Sequence, residues 1–321
     1  RRDRRESGDD RHAQGFAEYT RRLRKAVAGA DRRLGRSDRF QPDALVRLEA
    51  GHEVAVWNRS PGKQVDGARV SATPAEAAQG AEVVWLCVSD TKAVEQVLFG
   101  PSGVEQSLQP GMAIVDSSTI SPTATRQFAE QVRSRGVDYV DAPVTGSKVG
   151  AENATLIFIV GGEEAVIERL KPLFDAMGKQ LFRMGETGKG QTAKLAMNLQ
   201  IALIYEGFAE ALTLATKLGL EAETLIPVVQ ASMIRSGVVD YKAPFILKRD
   251  FSPNFPLRLM HKDIHLALEV AREARVKLPG LETVEEIYDM ASEDGNKDLD
   301  YAATLTLLEK WAGVEVKGAS R

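Results

Sequence analysis

From Gly51 onward, short apolar runs alternate with stretches whose apolar positions recur every three to four residues. The runs are EVAVWN (Glu53–Asn58), VVWLCV (Val83–Val88), AIVDSS (Ala113–Ser118), DYVDAPV (Asp138–Val144), LIFIVGG (Leu156–Gly162) and KQLFRMG (Lys179–Gly185), and each reads as a strand. Between several of them lie TPAEAAQGA, DTKAVEQVLF, SPTATRQFAEQVRSRG and EEAVIERLKPLFDAMG, which read as helices. Val83–Val88 and Leu156–Val160 are continuously apolar, as strands covered on both faces are. Strands alternating with helices predict an α/β fold with a doubly wound, mostly parallel sheet. After about Gly185 the strand pattern stops. Gln191–Lys217 reads as one helix, about 40 Å long at the usual rise. Ala222–Ser232, Leu257–Ala274, Gly280–Glu293 and Ala302–Trp311 read as further helices, so the second part is all-α.

Within the long helix, GKGQTAKLAMNLQIALIYEGFAEA (Gly188–Ala211) is apolar around most of its circumference, which predicts burial. Lys194 and Asn198 stand four apart and so share a face. A lysine in such a helix is costly to desolvate unless an anionic or polar group meets it, and burial lowers its pKa toward neutrality. That makes Lys194 a candidate acid–base group. The plainer reading is a lysine that snorkels to water from the first turns of the helix.

Composition narrows the classes. A chain of 321 residues accommodates about two domains. With 43% hydrophobic and 27% charged residues it has the balance of an ordinary soluble protein, and a net charge of −3 argues for neither nucleic acid nor an anionic membrane. The single cysteine, Cys87, excludes an internal disulfide and fits a reducing, cytoplasmic compartment. Neither a membrane-spanning apolar run nor a secretory signal is visible. Half of the arginines precede Ala50 in a stretch with no obvious strand. Residues 1–43 are therefore expected to be disordered or partly helical, and the interleaved acidic residues weaken a polyanion-binding role.

Candidate chemistry on the α/β side lies at strand ends. In an open parallel sheet, ligands sit beyond the carboxyl ends of the strands. The run EVAVWN leads into Asn58–Arg59–Ser60, where a dinucleotide fold meets the adenosine ribose. An arginine there accommodates a 2′-phosphate, which points to NADP over NAD. Val88, Ser89, Ser118 and Thr119 stand at two further strand ends, although Ser and Thr in such loops also serve simply as helix caps. The G-x-G-x-x-G loop that should precede Glu53 is missing, since Gly29 and Gly35 are separated by charged residues and follow no convincing strand.

Taken together, WNRS, LCVSD, VDSSTISP, DAPVTGSKVGAENATLIFIVGG, GKGQTAKLAMN and FPLRLMHKDIHLAL resemble, in order, the motifs of the β-hydroxyacid dehydrogenase family. That family includes 3-hydroxyisobutyrate dehydrogenases, tartronate semialdehyde reductases and glyoxylate/succinic semialdehyde reductases. The resemblance runs from about Ala44 to Ala312. It implies a Rossmann-like NAD(P)-binding domain over 44–187, with its first strand apparently lost, and a helical substrate and dimerisation domain over 188–321. By the same resemblance Lys194 is the catalytic lysine and Asn198 binds substrate. Thr145, Gly146 and Ser147 take the place of the Ser-Gly-Gly carboxylate anchor, with Ser147 in place of a glycine. Ser118 joins the substrate-binding set, while Val88, Ser89, Thr119 and Lys262 line the cofactor with Asn58, Arg59 and Ser60. The implied reaction is reversible hydride transfer between nicotinamide and a short 3-hydroxy acid, semialdehyde or glyoxylate, in a homodimer or homotetramer. The TGSK form of the anchor leans toward the glyoxylate/succinic semialdehyde group. Helix resuming abruptly at Ala44 points to an upstream reading-frame or gene-model error.

Other chemistries have less behind them. His261 and His265 are spaced as metal ligands can be, but no third ligand is signposted and no metal is expected. Cys87 lies inside an apolar run and reads as core. The competing class is a non-catalytic dimeric pseudoenzyme or binding protein that has lost its dinucleotide cradle.

Overall fold

Each of the six apolar runs holds a strand in the computed structural model, which describes residues 52–60, 65 and 67–318 together with the backbone of Lys25–Ala30. The strands are β1 (Lys25–Ala30), β2 (Glu53–Asn58), β3 (Arg69–Val70), β4 (Val83–Leu86), β5 (Ala113–Asp116), β6 (Asp138–Asp141), β7 (Val144–Thr145), β8 (Leu156–Gly161) and β9 (Gly178–Gly185). They form a sheet in the order β3-β2-β1-β4-β5-β6-β8-β7, with β9 pairing β8. From β3 to β6 every pairing is parallel, as is β8 with β9; β8 runs antiparallel to β6 and β7. This is the doubly wound arrangement, with its 3-2-1-4-5-6 strand order.

One expectation is corrected. The first strand is not lost: β1 pairs in parallel with β2 on one side and β4 on the other, filling the central place. KAVAGA escaped notice because its residues are mostly small and charged residues flank it, so no apolar run stands out. Residues 31–51, where a glycine loop would follow, lie outside the described residues, as does the rest of the arginine-rich segment apart from β1.

The helices of this first unit are α1 (Pro74–Ala78), α2 (Thr91–Phe99), α3 (Pro122–Arg133), α4 (Ser147–Glu152) and α5 (Glu164–Met177). Asp90 caps α2, accepting the Ala93 N–H at 2.8 Å, and Thr73 caps α1 in the same way. The core beneath α5 is anchored by Trp85, Phe158 and Phe174, whose rings meet edge-on with centroids 4.9–5.8 Å apart. Strand β4 leaves all four of its side chains inside, as its unbroken apolar run predicts, and β5 does the same although it ends in the buried carboxylate of Asp116.

The second unit contains α6 (Lys189–Lys217, entering at Gln191), α7 (Ala222–Ala231), α8 (Gly237–Leu247), α9 (Leu257–Glu273), α10 (Pro279–Glu293) and α11 (Thr304–Ala312), plus the segment Thr119–Pro122. Helix α8 was not expected; Pro244 and its β-branched start obscure the period in sequence. Helix α6 buries one face, through Leu195, Ala202, Tyr205, Phe208, Ala209 and Leu212. The expectation of burial all round is corrected here, because the opposite face leaves Leu203, Ile204 and Leu214 exposed. Apolar composition marks a surface to be covered but does not say that its own chain covers it.

A buried ion pair braces this unit. Lys242 Nζ lies 2.6 Å from Asp300 Oδ1, both side chains being nearly inaccessible. Asp300 also accepts N–H bonds from Ala302, Asn254 and Phe255 at 3.0 Å, so its charge is fully met. Removing one partner from such a pair typically costs about 3–5 kcal/mol. Among the described residues no helix is long and apolar enough to cross a membrane.

Candidate active site

Lys194 sits where its spacing places it, on the buried face of α6. It is 8% exposed, so it does not snorkel. Asn198, one turn on, is 1% exposed, and its Nδ2 donates to Asp263 Oδ2 at 2.6 Å. Asp263 is itself buried, and its Oδ1 lies 2.7 Å from Lys262 Nζ. Lys262 in turn donates to the carbonyl oxygen of Thr119. Sequence reasoning singled out Lys262, Asn198 and Thr119 separately; the structure joins them through Asp263, visible in sequence only as the neighbour of Lys262. Gln191 was missed as well. It is fully buried at the start of the same face, and its Oε1 accepts the Ile120 N–H at 3.1 Å.

Deeper in the helical unit, Glu206 is also buried on α6. Its Oε1 accepts the Thr304 hydroxyl at 2.6 Å, while its Oε2 has no hydrogen-bond partner among the described residues. Burial lifts its carboxyl to about 7.

On the sheet unit, the strand ends carry a latch. The Val88 N–H donates to Ser118 Oγ at 2.9 Å, and the Ser118 N–H donates to Asp116 Oδ1 at 2.9 Å. Asp116 also accepts the Tyr139 hydroxyl at 2.8 Å; burial first, and then the charge and hydrogen bond of Asp116, hold that phenol well above its usual pKa. Ser118 and Val88 thus fix the loops after β4 and β5 to each other. The Ser89 hydroxyl donates to Oδ2 of Asp90, the residue that caps α2, at 2.6 Å.

At the end of β2, Asn58 Oδ1 accepts the Ser60 N–H at 3.2 Å, and Arg59 is exposed. Ser60 is 3% exposed, yet its Oγ has no partner among the described residues. An orphaned buried hydroxyl next to an exposed arginine fits a group that brings oxygen acceptors, as a nucleotide ribose or its phosphate does.

The expected carboxylate anchor, Thr145, Gly146 and Ser147, follows the end of β6. Thr145, in β7, pairs with Ile157 of β8, and Gly146 has φ 126°, a conformation that favours glycine. Ser147 holds φ 53°, a left-handed conformation that is uncommon for a residue with a side chain and is often found at ligand clamps. Close by, buried Asp141 accepts the Gly188 N–H at 2.7 Å, tying the turn before α6 to the end of β6. His261 and His265 face carboxylates instead of each other: His261 Nε2 is 3.1 Å from Asp289, and His265 Nδ1 is 2.9 Å from Glu285.

Comparison with known proteins adds the family. Residues 42–185 match the model described as the NAD binding domain of 6-phosphogluconate dehydrogenase, and residues 188–308 match that described as the NAD-binding domain of NADP-dependent 3-hydroxyisobutyrate dehydrogenase. The 2-hydroxy-3-oxopropionate reductase of Escherichia coli is 36% identical over 274 residues, covering 84% of this chain and 94% of the relative. The chain belongs to the β-hydroxyacid dehydrogenase family. It is an NAD(P)-dependent oxidoreductase. The solved 3-hydroxyisobutyrate dehydrogenase of Mycobacterium tuberculosis with L-serine has TM-score 0.79 and 30% identity, covering 89% of this chain and 99% of that one. Psf3 in complex with NADP+ and 2-OPP has TM-score 0.77 and 25% identity, covering 88% of this chain and 100% of that one. The Rossmann-like sheet followed by an all-helical unit is therefore the fold of this family.

Proposed function

We propose that this β-hydroxyacid dehydrogenase reduces a short semialdehyde or 2-oxo acid such as tartronate semialdehyde, reversibly and with NADP(H), using Lys194 as the acid and base. The reading rests chiefly on the burial of Lys194 one turn from Asn198, whose amide is held by Asp263. When bound, the nicotinamide supplies a hydride at its C4. Asn58, Arg59 and Ser60 hold the adenosine end, and the Ser60 hydroxyl with the Arg59 charge favours a 2′-phosphate. Thr145 and the backbone of Gly146 and Ser147 orient the substrate carboxylate, which removes most of the substrate's rotational freedom. The Lys194 ammonium hydrogen-bonds the carbonyl oxygen and delivers its proton as negative charge develops there. In the reverse direction the neutral amine takes the hydroxyl proton. Asn198, with its Nδ2 engaged by Asp263, turns its amide oxygen toward the substrate hydroxyl or the lysine. A homodimer packed on the exposed apolar face of α6 accords with this reading.

The test is Lys194→Met. Turnover of NADPH with tartronate semialdehyde should fall by about two decades or more, while NADPH binding, followed by nicotinamide fluorescence, stays within a few-fold of the parent. Turnover left nearly unchanged would refute the role of Lys194.

A further inference from the structure

Between β5 and α3 the chain passes through Thr119–Pro122, which packs as part of the helical unit although strands and helices of the sheet unit flank it. This segment is gripped at two successive peptide groups. Lys262 donates to the Thr119 carbonyl oxygen, and Gln191 Oε1 accepts the next N–H, that of Ile120, at 3.1 Å. The circuit then closes: Lys262 pairs with Asp263, Asp263 accepts from Asn198, and Asn198 stands on α6 seven residues after Gln191. Residues three, four and seven apart share a helical face, so Gln191, Lys194 and Asn198 lie on one side of α6. Gln191 and Ile120 are both fully buried, so water is not at hand to replace the bond.

We propose that Gln191 is a positioning residue for turnover: its side-chain carbonyl fixes the Thr119–Ile120 peptide, and so the Thr119 side chain, against the helix that carries Lys194. The inference rests on the function proposed above, in which Thr119 lines the cofactor and Lys194 moves the proton. A methionine fills nearly the same volume as glutamine but offers no strong acceptor, leaving the buried Ile120 N–H without this bond. The segment then loses the Gln191 grip, while the carboxylate anchor at Thr145–Ser147 is untouched. A glutamate keeps an acceptor oxygen at the same reach.

The experiment compares Gln191→Met, Gln191→Glu and Lys194→Met in the full chain, by steady-state kinetics with NADPH and tartronate semialdehyde and by amide hydrogen exchange at Ile120. For Gln191→Met, kcat should fall about tenfold, the cost of a small misplacement, with the KM for the semialdehyde held within about twofold. Ile120 exchange should speed up at least tenfold, in line with the loss of one buried hydrogen bond. Gln191→Glu should recover most of both. If Gln191→Met keeps its kcat while Lys194→Met is inactive, the positioning role is overturned and the proposed function stands. If Lys194→Met stays active, that function itself falls. A loss in Gln191→Met that Gln191→Glu does not recover marks a general structural defect and overturns the role. Should the methionine variant fail to fold, rapid exchange of Ile120 in the parent chain would overturn it as well.

Discussion

Glu206 and Lys194 lie on one helix, are both buried, and illustrate how differently a buried charge can be used. Lys194 shares a face with Gln191 and Asn198, whereas Glu206 has one oxygen bonded to Thr304 and the other unpartnered among the described residues. Its carboxyl is lifted from 4.5 to about 7, so below pH 4.5 both the folded and the unfolded chain hold the proton. Between these values the unfolded chain releases it and the folded chain keeps it, so stability falls as pH rises. Above about 7 the loss is complete and amounts to about 3 kcal/mol. Glu206→Gln should remove this component: urea unfolding at pH 5 and pH 8 should show a much smaller pH difference in the variant than in the parent. An unchanged difference would place the titration elsewhere. At this scale the sequence was partly legible. Lys194 and Asn198 announce themselves by spacing on an apolar helix, but Asp263 and Gln191 do not, because their partners lie 65 and 71 positions away.

Among the elements, α6 is the one whose placement matters most, and its start is crowded. A Cβ on Gly190 would stand 2.5 Å from the Ile159 carbonyl oxygen and 2.8 Å from Asp141 Oδ2. Gly161 packs against the same carboxylate, with a Cβ that would come within 2.7 Å. The glycines of GKGQ therefore let the helix begin against β8 and the end of β6. Gly207, on the same helix, has open space around its Cβ position. Gly190→Ala should destabilise the chain by about 1–3 kcal/mol through overpacking, whereas Gly207→Ala should stabilise it by roughly 0.5–1 kcal/mol through helix propensity. Thermal unfolding of the two variants checks the contrast, and a Gly190→Ala variant as stable as the parent would contradict the close approach. Element types were readable wherever apolar runs were long, as in β4 and β8. They were unreadable where the residues are small, as in β1, or where a proline interrupts the period, as at Pro244 in α8.

Across the whole molecule, the order of motifs along the chain conveyed the family before any geometry did, because a strand-end loop, an anchor, a lysine helix and a late lysine–aspartate pair occur together in few settings. What the motifs could not convey is how the helical unit closes Lys262, Asp263, Asn198, Gln191 and the Thr119–Ile120 segment into one circuit of three hydrogen bonds and an ion pair. In the proposed function α6 serves as the platform for proton transfer, and the central claim is that a hydride is delivered to the substrate that Lys194 protonates. The direct measurement is label transfer from NADPH deuterated at C4, with tartronate semialdehyde, glyoxylate and succinic semialdehyde offered in turn. The account predicts that at least one product carries a single deuterium on its new carbinol carbon, and that Lys194→Met suppresses its formation by about a hundredfold or more. Contradiction would come from a chain that forms no labelled product and gives no change in nicotinamide fluorescence when titrated with NADPH.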